Sequence, residues 1–519
     1  MQYKLGIDVG GTNTDGVLLD ENMTVIASYK TPTTEDIQSG IEATIAKVLE
    51  NTTIDKKDIK FAMLGTTQCT NAIVTRNGLN KVGVIRIGLP AGAAIAPMYS
   101  IPSDLTETIN AGAYQVHGGH EFNGDLISPL DEDRIREIAH ELKGKTNSIA
   151  ITSIFSPVND SQEIRAQEIL EEELGTQGMT YSLSSSIGSI GLLERENTTI
   201  LNASIIDVAK RTTEGFQNAL QSHGIDSEVY FCQNDGTLMS KEYTLKYPIL
   251  TVACGPTNSL RGASFLTNQS DAIIVDIGGT TTDIGVLQNG FPRESSLSVE
   301  LGGVQTNFRM PDIYSIGLGG GTIVSVDGDH FLVGPKSVGY QLTEKALIFG
   351  GDTLTVTDIA VAKGVLELGD KERVADLDTA FVDSVYTELL EMISQGVERM
   401  KTSANDVPVI LCGGGSALIE GDIRGASQVD TPESGAVANA IGSAISDISG
   451  DLDRIYDISP DNRMAMIEAI KVEAIQNAVD AGADPDNTTI ISFEDVPLAY
   501  LPGNATRVKV KAAGALKAK

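Results

Sequence analysis

The chain has 519 residues, of which 41% are hydrophobic and 21% are charged, a composition that is typical of globular domains and excludes wholesale disorder. There are 70 acidic and 38 basic residues, for a net charge of −32, so we expect no nucleic-acid partner and no anionic membrane surface. The four cysteines are far apart, and no apolar run approaches the roughly 18 residues of a membrane span. We therefore expect a cytoplasmic protein without a disulfide framework or a zinc ribbon.

Strands and helices alternate along the first 180 residues. We predict strands at 3–9, 16–20, 61–65, 81–87 and 148–153, and helices at 34–50, 131–142 and 161–174. Such alternation indicates an α/β layer architecture. From residue 451 the pattern changes to a helix at 462–480 and strands at 488–492 and 507–512, which indicates a small α+β region.

One motif occurs twice. The segment DVGGTNTD at 8–15 returns as DIGGTTTD at 276–283, with six of the eight positions identical. Each copy follows a short β-branched strand and precedes another one, so each copy reads as a hairpin. The simplest interpretation is two related lobes that each contribute one hairpin to a shared cleft.

The residue types of this motif suit a phosphate clamp. Two glycines let backbone N–H groups approach an anion closely, and threonine hydroxyls add donors. The flanking aspartates can hold Mg²⁺ through water or orient a nucleophile. A single Gly-Gly-Thr turn also occurs in ordinary hairpins; two matched copies favour the phosphate clamp.

Two further glycine runs follow short apolar strands. The run at 413–415 follows the strand 409–412, and residues 417–419 read as the start of a helix, so this junction suits a nucleotide at a helix N-terminus. The other run, at 317–322, contains Gly319, Gly320 and Gly321. A tight packing turn and a loop are the alternative interpretations of these two runs.

Together these features resemble the actin, sugar kinase and Hsp70 ATPase superfamily. The small-residue segment 435–448 resembles the connecting helix of that fold, and 197–209 would be its counterpart in the first half. The resemblance implies an α/β fold with two actin-like lobes, each a ribonuclease H-like sheet with flanking helices, around a nucleotide cleft. We expect the first lobe at 1–190, the second lobe at 191–450 and a small C-terminal α+β appendage at 451–519.

A narrower resemblance covers nearly the whole chain. The order of motifs is similar to that of the hydantoinase A/5-oxoprolinase family, the ATP-binding subunits of ATP-dependent lactam and cyclic-imide hydrolases. Its marks here are DVGGTNTD at 8–15, GTTQCTNAI at 65–73, GLLERENTTILNAS at 191–204, CGPTNS at 254–259, DIGGTTTD at 276–283, IGLGGGTI at 316–323 and VGPKSVG at 333–339. The chain departs from longer members at Leu64, where many carry histidine, and in its shorter length.

The family resemblance implies that ATP phosphorylates the carbonyl oxygen of a cyclic amide, such as a hydantoin, 5-oxoproline or another lactam, so that water can open the ring. ATP and Mg²⁺ are the implied cofactors. Asp8 and Asp276 would hold Mg²⁺ through water, and either Asp15 or Asp283 would orient the acceptor or the attacking water. The implied nucleotide-binding residues are Gly10, Gly11, Thr12, Thr14, Gly278, Gly279, Thr280, Thr281, Gly319, Gly320, Gly321, Gly413, Gly414 and Gly415.

The resemblance also implies a partner, a separately encoded B-type subunit for ring opening, and the acidic surface leaves a homo-oligomer open. Three alternatives stay open: the ATP-binding subunit of an acetone-type carboxylase, a nucleotide-switched reactivating or binding ATPase, and a small-molecule kinase with a stable phosphoproduct.

Several other residues are candidates for the substrate pocket or a metal. Thr66 and Thr67 follow a strand and could line the acceptor pocket or form a strand cap or turn. Asn307 and Arg309 are further substrate candidates: Arg309 could pair with a substrate carboxylate or a phosphate, or form a structural surface ion pair. His117 and His120 form an HxxH pair that could ligate a metal, although the glycines between them favour a structural loop. Cys69 and Cys254 have no neighbour that would activate a thiol, so we do not expect cysteine catalysis.

Overall fold

The computed structural model describes residues 2–34, 37–295, 299–328, 330–498 and 504–516. The first part of the chain forms β1 (Tyr3–Val9), β2 (Asn13–Leu19), β3 (Val25–Pro32), α1 (Ile37–Glu50), β4 (Ile59–Thr66), α2 (Gln68–Thr75), β5 (Val82–Leu89), α3 (Ser103–Ile109), β6 (Asn110–His117), α4 (Glu132–Leu142), β7 (Ser148–Ser153), α5 (Ser161–Leu174) and β8 (Thr180–Leu183). The predicted strands and helices of this part correspond to observed elements, with β2 beginning three residues earlier than expected. Residues 35 and 36 of the predicted helix 34–50 lie outside the described residues.

The middle of the chain forms α6 (Leu192–Ser204), α7 (Ile206–Ser222), β9 (Glu228–Cys232), β10 (Leu238–Ser240), α8 (Lys241–Lys246), α9 (Cys254–Thr267), β11 (Ala272–Ile277), β12 (Thr282–Gln288), β13 (Phe291–Pro292), β14 (Val299–Leu301) and β15 (Val304–Thr306). The last part forms β16 (Ile313–Ile316), β17 (Thr322–Asp327), β18 (His330–Ser337), α10 (Leu342–Lys345), α11 (Val356–Lys363), α12 (Thr379–Met400), β19 (Val407–Cys412), β20 (Ala426–Asp430), α13 (Ala438–Ile445), β21 (Ile448–Asp457), α14 (Arg463–Asp480), β22 (Ala483–Pro497) and β23 (Ala505–Leu516).

Two sheets have the same local arrangement of three strands. In the first sheet β1 pairs antiparallel with β2 and parallel with β4. In the second sheet β11 pairs antiparallel with β12 and parallel with β19. All seven residues of β1 are buried or nearly so, as expected for a strand covered on both faces. The duplicated motif therefore lies in a duplicated sheet.

The first sheet extends far beyond the first third of the chain. Its strand order is β22-β23-β21-β10-β9-β4-β1-β2-β3. Strands β9 and β10 come from the middle of the chain, and β21 to β23 come from its last part. The predicted domain boundaries at 190 and 450 stay predictions; the pairing of these strands runs across both of them.

A separate four-stranded sheet follows α2 in the chain, with the order β6-β5-β7-β8 and all neighbours parallel. Residues of α4 and α5 pack on its strands in one hydrophobic cluster. The N-cap of α4 is Asp131, whose side chain accepts a hydrogen bond from the backbone N–H of Arg134, which satisfies one of the free donors of the first turn.

Helices α9 and α13 cross between the two related sheets. A Cβ atom on Gly262 would overlap the carbonyl of Ala438, and one on Gly442 would overlap the carbonyl of Asn258. Only glycine permits so close a crossing. The predicted counterpart of the 435–448 helix was therefore wrong: its partner is α9, whereas residues 197–209 lie in α6 and α7.

Among the described residues, no helix combines the length and the apolar character needed to cross a membrane.

Candidate functional site

The two copies of the repeated motif form matching hairpins. Asp8 lies directly opposite Asp15 across β1 and β2, and Asp276 lies opposite Asp283 across β11 and β12. Each turn is closed by an equivalent backbone hydrogen bond, from Gly10 N to Asn13 O at 3.0 Å and from Gly278 N to Thr281 O at 2.9 Å. The sequence repeat is thus a repeat of backbone geometry.

The tips of the two hairpins face each other. A Cβ built on Gly279 would lie 3.5 Å from Cγ2 of Thr12. Gly11 is exposed, and nothing lies within 4 Å of the position of its missing Cβ. The bare backbone of the first turn is therefore open to a ligand, in the space that the second turn borders.

Glycine is required beside both inner aspartates. Gly65 on β4 is in register with Asp8, and a Cβ there would overlap the Asp8 carboxylate. Gly413 follows Cys412, which is in register with Asp276; a Cβ on Gly413 would overlap the Asp276 carboxylate, and its φ is +84°. The first glycines of the GTT and GGG motifs thus both make room for a carboxylate at the end of a strand in the two related sheets.

Side chains from α9 and α13 hold the aspartates from outside the hairpins. Asn258 Nδ2 donates to Asp8 Oδ1 at 3.0 Å. Asn439 Nδ2 donates to Asp8 Oδ2 at 3.0 Å and to Asp15 Oδ2 at 2.8 Å. Ser259 hydrogen-bonds Asp276. None of these three residues is among the predicted site residues, although Asn258 and Ser259 belong to the CGPTNS family motif at 254–259.

One lysine lies among the carboxylates. Lys30 on β3 pairs with Asp15 at 2.7 Å, and its side chain is 30% exposed. Its Nζ lies 3.7 Å from the position that a Cβ on Gly414 would take, so it reaches from the first sheet to the glycine run of the second. Lys30 was also missed, because a lone lysine on a strand carries no local signal.

Burial and mutual repulsion raise the pKa values of the inner aspartates above the ordinary value of an aspartate. Burial, with the charge of Asp15 adding to it, raises the pKa of Asp8 to about 7 against the opposing hydrogen bonds from Asn258 and Asn439. Burial likewise raises the pKa of Asp276 to about 6. It also raises the pKa of Asp283 above its ordinary value, against a 2.5 Å hydrogen bond from Ser315 Oγ. A cation that entered the cleft would favour the ionised forms.

The run at 317–322 supports the second hairpin from behind. Gly320 N donates to Gly278 O at 3.1 Å, Gly321 N donates to Gly279 O at 2.7 Å, and Gly319 N donates to Thr322 Oγ1 at 2.7 Å. The backbone N–H groups of all three predicted nucleotide-binding glycines therefore donate hydrogen bonds to other residues of the chain. This arrangement favours a role in positioning the turn.

The run at 413–415 differs from the expectation. The backbone N–H groups of Gly413 and Gly415 donate to Gly435 O and Ile277 O, while Gly414 is exposed. A short 3₁₀ turn at Ser416–Leu418 follows, so the predicted helix after the glycines was wrong. A helix dipole is not available there, and Gly414 is the accessible point of the run.

The predicted threonines divide into two groups. Thr12 and Thr280 are half-buried and Thr281 is exposed at the hairpin tips. Thr14 is buried and hydrogen-bonds Thr33 at 3.2 Å, so it stabilises the turn from inside. Thr66 and Thr67 lie next to the first hairpin: the Thr67 hydroxyl donates to Val9 O at 3.4 Å, and the Thr66 hydroxyl accepts from Gln68 N at 3.2 Å.

Asn307 and Arg309 do not join this cleft. Asn307 Nδ2 donates to the carbonyls of Ser189, Ile190 and Gly191. Arg309 pairs with Glu294 at 3.0 Å and with Asp451 and Asp235. Both line a different cavity, whose lining includes none of the paired aspartates or the predicted glycines.

The candidate metal and thiol residues have no metal-binding or reactive setting. His117 is exposed and His120 is buried, and burial lowers the pKa of His120. Within the described part of the chain, no three His, Cys, Asp or Glu side chains are grouped to hold a metal ion. Burial raises the pKa of Cys69 to about 11 and that of Cys254 to about 12, so neither is a ready thiolate.

The sequence matches two family profiles. The hydantoinase/oxoprolinase N-terminal region matches residues 4–174, and hydantoinase/oxoprolinase matches residues 195–370. The caprolactamase subunit alpha of Pseudomonas jessenii is 28% identical over 433 residues, which cover 77% of this chain and 60% of that protein. The acetophenone carboxylase gamma subunit of Aromatoleum aromaticum is 27% identical over 70% of this chain and 53% of its own. The 5-oxoprolinase of Saccharomyces cerevisiae is 26% identical over 70% of this chain and 32% of its own length.

Two solved structures share the fold. The ATP-dependent caprolactamase from Pseudomonas jessenii superposes with a TM-score of 0.81 over 99% of this chain and 88% of that chain, at 19% identity. The nucleotide-free acetone carboxylase superposes with a TM-score of 0.69 over the same shares, also at 19% identity. The chain spans about three fifths or less of the length of the curated relatives named above. The α/β fold prediction is confirmed, and since the two profiles together cover most of the sequence, the chain belongs to the hydantoinase/oxoprolinase family.

Proposed function

We propose that the protein is the nucleotide-binding subunit of an ATP-dependent amidohydrolase, which phosphorylates the carbonyl oxygen of a cyclic amide such as a hydantoin, 5-oxoproline or another lactam. The observation that carries the proposal is the pair of matched hairpins, DVGGT at 8–12 and DIGGT at 276–280, that face each other across a cleft with four carboxylates and Lys30. Membership of the hydantoinase/oxoprolinase family supports the same chemistry.

The residues of the cleft suit Mg·ATP. The open backbone at Gly11 and the half-buried Thr12 and Thr280 are donors for phosphate oxygens. The raised pKa values of Asp8 and Asp276 reflect carboxylates whose buried charge is incompletely compensated. Hydrated Mg²⁺ held by these two groups would supply that compensation and neutralise phosphate charge. Gly414 and Lys30 would border the nucleotide from opposite lobes.

The chemistry begins with attack of the amide carbonyl oxygen on the γ-phosphorus. The bond from the γ-phosphorus to the β,γ-bridging oxygen breaks, ADP leaves, and the amide nitrogen lone pair forms the C=N bond of a phosphorylated imidate. Water then adds to the activated carbon, and the ring C–N bond breaks as the nitrogen takes a proton, which gives an acyl phosphate. A second water hydrolyses the acyl phosphate to a carboxylate and phosphate, so that a lactam is converted into an amino acid. The protein contributes mainly position and charge neutralisation to the first step.

We assign the acceptor-facing role to Asp283. The charge of Asp15 is compensated by Lys30 and Asn439, and its side chain is 3% exposed. Asp283 is half-buried and forms no ion pair with a described residue. Its carboxylate accepts one side-chain hydrogen bond among those residues, from the Ser315 hydroxyl. A carboxylate with a raised pKa and one free oxygen is suited to receive a proton or orient water.

A separate subunit is part of the proposal. The caprolactamase and carboxylase relatives are named as subunits. We therefore propose that ring opening takes place with a B-type partner and that phosphoryl transfer takes place here.

The second candidate is the ATP-binding subunit of a ketone carboxylase. Two relatives of similar identity, the acetophenone carboxylase gamma subunit and the acetone carboxylase beta subunit, favour it. In that reaction the phosphoryl acceptors are an enolate and bicarbonate, so bicarbonate dependence separates the two candidates.

The experiment is positional isotope exchange in ATP labelled with ¹⁸O in the β,γ-bridge, because it detects reversible cleavage of that bond even if the partner subunit is missing. The purified chain with Mg²⁺ is tested with 5-oxoproline, hydantoin, simple lactams, and acetone with bicarbonate. We expect exchange to depend on a cyclic amide. It should be lost in Asp283→Asn and kept in Asp376→Asn, a matched control at an exposed aspartate.

Exchange that requires acetone and bicarbonate would favour the carboxylase. Bound nucleotide without exchange under every acceptor would contradict both candidates. Equal exchange in Asp283→Asn and the parent would refute the assignment of this aspartate.

A further inference from the structure

A second cavity lies away from the aspartate hairpins. Its volume is about 750 Å³, within the range of roughly 300–1,000 Å³ that is usual for small-molecule sites. Its walls are the loop 185–189, the segments 293–295 and 307–309, helix α8 and the strands β21 to β23. It therefore joins the four-stranded sheet, the second lobe and the C-terminal strands.

The charge of this cavity differs from that of the chain. Six acidic and six basic side chains line it, whereas the whole chain has 70 acidic and 38 basic residues. A polyanion such as ATP would meet as many carboxylates as cations here. A balanced lining is complementary to a ligand that has no net charge but carries both signs.

The floor is a sheet face with alternating charges. Lys509 on β23 is in register with Asp453 on β21 and with Glu494 on β22. Lys511, two residues further and so on the same face, is in register with Asp451 on β21. Lys509 forms no ion pair with a described residue, so its ammonium is available to a ligand.

A buried ion network fixes one end of this floor. Lys511 pairs with Asp235 at 2.7 Å, and both side chains are nearly inaccessible. Burial alone would raise the pKa of Asp235, but Lys511 and Arg309 hold it well below its usual range. Ser449 Oγ donates to the same carboxylate at 3.1 Å. These charges are engaged with one another, and Asp453 is paired with Arg507 at 2.6 Å. Among the described residues, Lys509 and Glu494 form no ion pair, so a ligand would address these two groups.

Another part of the lining is apolar and aromatic. The rings of Tyr243 and Tyr247 lie 4.7 Å apart between centroids, and Phe308 and Ile187 complete this side of the lining. Such a wall accepts methylene groups, while the charged floor accepts charged ends.

Four lining residues also carry a buried polar atom without a hydrogen-bond partner among the described residues. They are Arg293 Nη1, a donor, Asp451 Oδ1 and Asn307 Oδ1, both acceptors, and Ser185 Oγ. A buried polar atom without a partner destabilises the fold unless a ligand or water pairs with it. Both donors and acceptors are thus left over in the wall of one cavity.

We propose that this cavity is a binding site, separate from the nucleotide cleft, for a zwitterionic amino acid with an aliphatic chain. The carboxylate of the ligand is recognised by Lys509, its ammonium by Glu494, and its methylene groups by Tyr243 and Tyr247. The proposal goes beyond the proposed function and is tested without nucleotide; the ring-opened product of a cyclic amide belongs to the same class of molecule.

The test is isothermal titration calorimetry of the full chain with ω-amino acids of two to six carbons. The matched alkylamines and alkylcarboxylates, which carry only one of the two charges, are titrated in parallel. We expect saturable binding of a zwitterion and at least tenfold weaker binding of either single-charge analogue. Lys509→Gln and Glu494→Gln should each weaken the zwitterion at least tenfold, while the exposed control Lys371→Gln leaves it unchanged.

ATP affinity and the thermal unfolding temperature serve as fold controls and should stay at the parent values in these variants. The absence of saturable binding of any zwitterion, equal binding of a single-charge analogue, or unchanged binding in both cavity variants would each overturn the proposal. The binding measurements need no phosphoryl transfer. The calorimetric result therefore tests the cavity even if the isotope-exchange experiment contradicts the proposed function.

Discussion

Asp276 offers a test of the electrostatics of the cleft, because its substitution should stabilise the protein while removing its function. Burial raises the pKa of this carboxyl from 3.8 to about 6. A group whose pKa is higher in the folded than in the unfolded state favours folding when protonated, and that contribution is lost as the pH rises through the folded value. Above about pH 6, the folded wild-type protein therefore contains a carboxylate that burial disfavours.

The size of the effect follows from the two pKa values. A tenfold change in proton affinity corresponds to about 1.4 kcal/mol, so the rise from 3.8 to about 6 corresponds to about 3 kcal/mol. In Asp276→Asn the neutral amide keeps the volume of the side chain, and the Ser259 hydroxyl can rotate to pair with it. We expect the variant to be more stable than the parent by up to about 3 kcal/mol at pH 8 and by almost nothing near pH 4.

The assay is urea unfolding of both proteins at several pH values from 4 to 8, without nucleotide or Mg²⁺. Asp376→Asn, which makes the same charge change at an exposed position, measures the general effect of one negative charge fewer. The expected signature is a stability difference that grows between pH 4 and 6 and then levels off. A destabilised Asp276→Asn protein at pH 8, or a difference independent of pH, would refute the reasoning.

Four further outcomes follow from the same geometry. Mg·ATP affinity should rise between pH 6 and pH 8, since the pKa values of Asp8 and Asp276 lie at about 7 and about 6; titration calorimetry that shows a flat profile would count against their role. In Asn439→Ala the loss of its hydrogen bond to Asp8 should raise the pKa of that carboxyl further, and the acidic limb of the affinity profile should move up by about one pH unit or more. Gly65→Ala should abolish nucleotide binding, because the new methyl group would overlap the Asp8 carboxylate; isothermal titration with retained nucleotide affinity would contradict this close approach. Gly262→Ala should destabilise the protein by about 1–3 kcal/mol, because a Cβ would overlap the Ala438 carbonyl, whereas Gly255→Ala on the same helix, with nothing near its missing Cβ, should leave the urea midpoint unchanged or slightly higher.

Local patterns predicted the parts of the site that one stretch of chain builds by itself. A hairpin with two glycines and two aspartates is specified by adjacent residues, so its two copies could be identified and aligned from the amino-acid sequence. The glycine runs were also identified from the sequence, and their role in nucleotide binding stays a prediction. In the structure the run at 319–321 hydrogen-bonds the second turn, and the run at 413–415 leads into a short 3₁₀ turn. Whether an N–H group faces a ligand or a neighbouring carbonyl depends on what packs against it.

The misplaced connecting helix has a similar cause. Residues 197–209 and 254–267 both contain small residues at helical spacing, and the spacing does not say which helix lies opposite. The close approach that selects α9 involves Gly262 with Ala438 and Gly442 with Asn258. The sequence shows that each helix contains small residues, but it does not specify which two helices bring them together at a crossing point.

The sequence by itself determined the class of fold, the family, the duplicated hairpins and the aspartates they present, because these depend on short-range geometry repeated in two places. Only the tertiary structure decided that Asn439 bridges Asp8 and Asp15, that Lys30 reaches toward Gly414, that strands β21 to β23 extend the first sheet, and that Arg309 belongs to a second cavity. These contacts join residues hundreds of positions apart. Each depends on the packing of whole elements, and no local pattern of residues encodes which distant element will lie beside it.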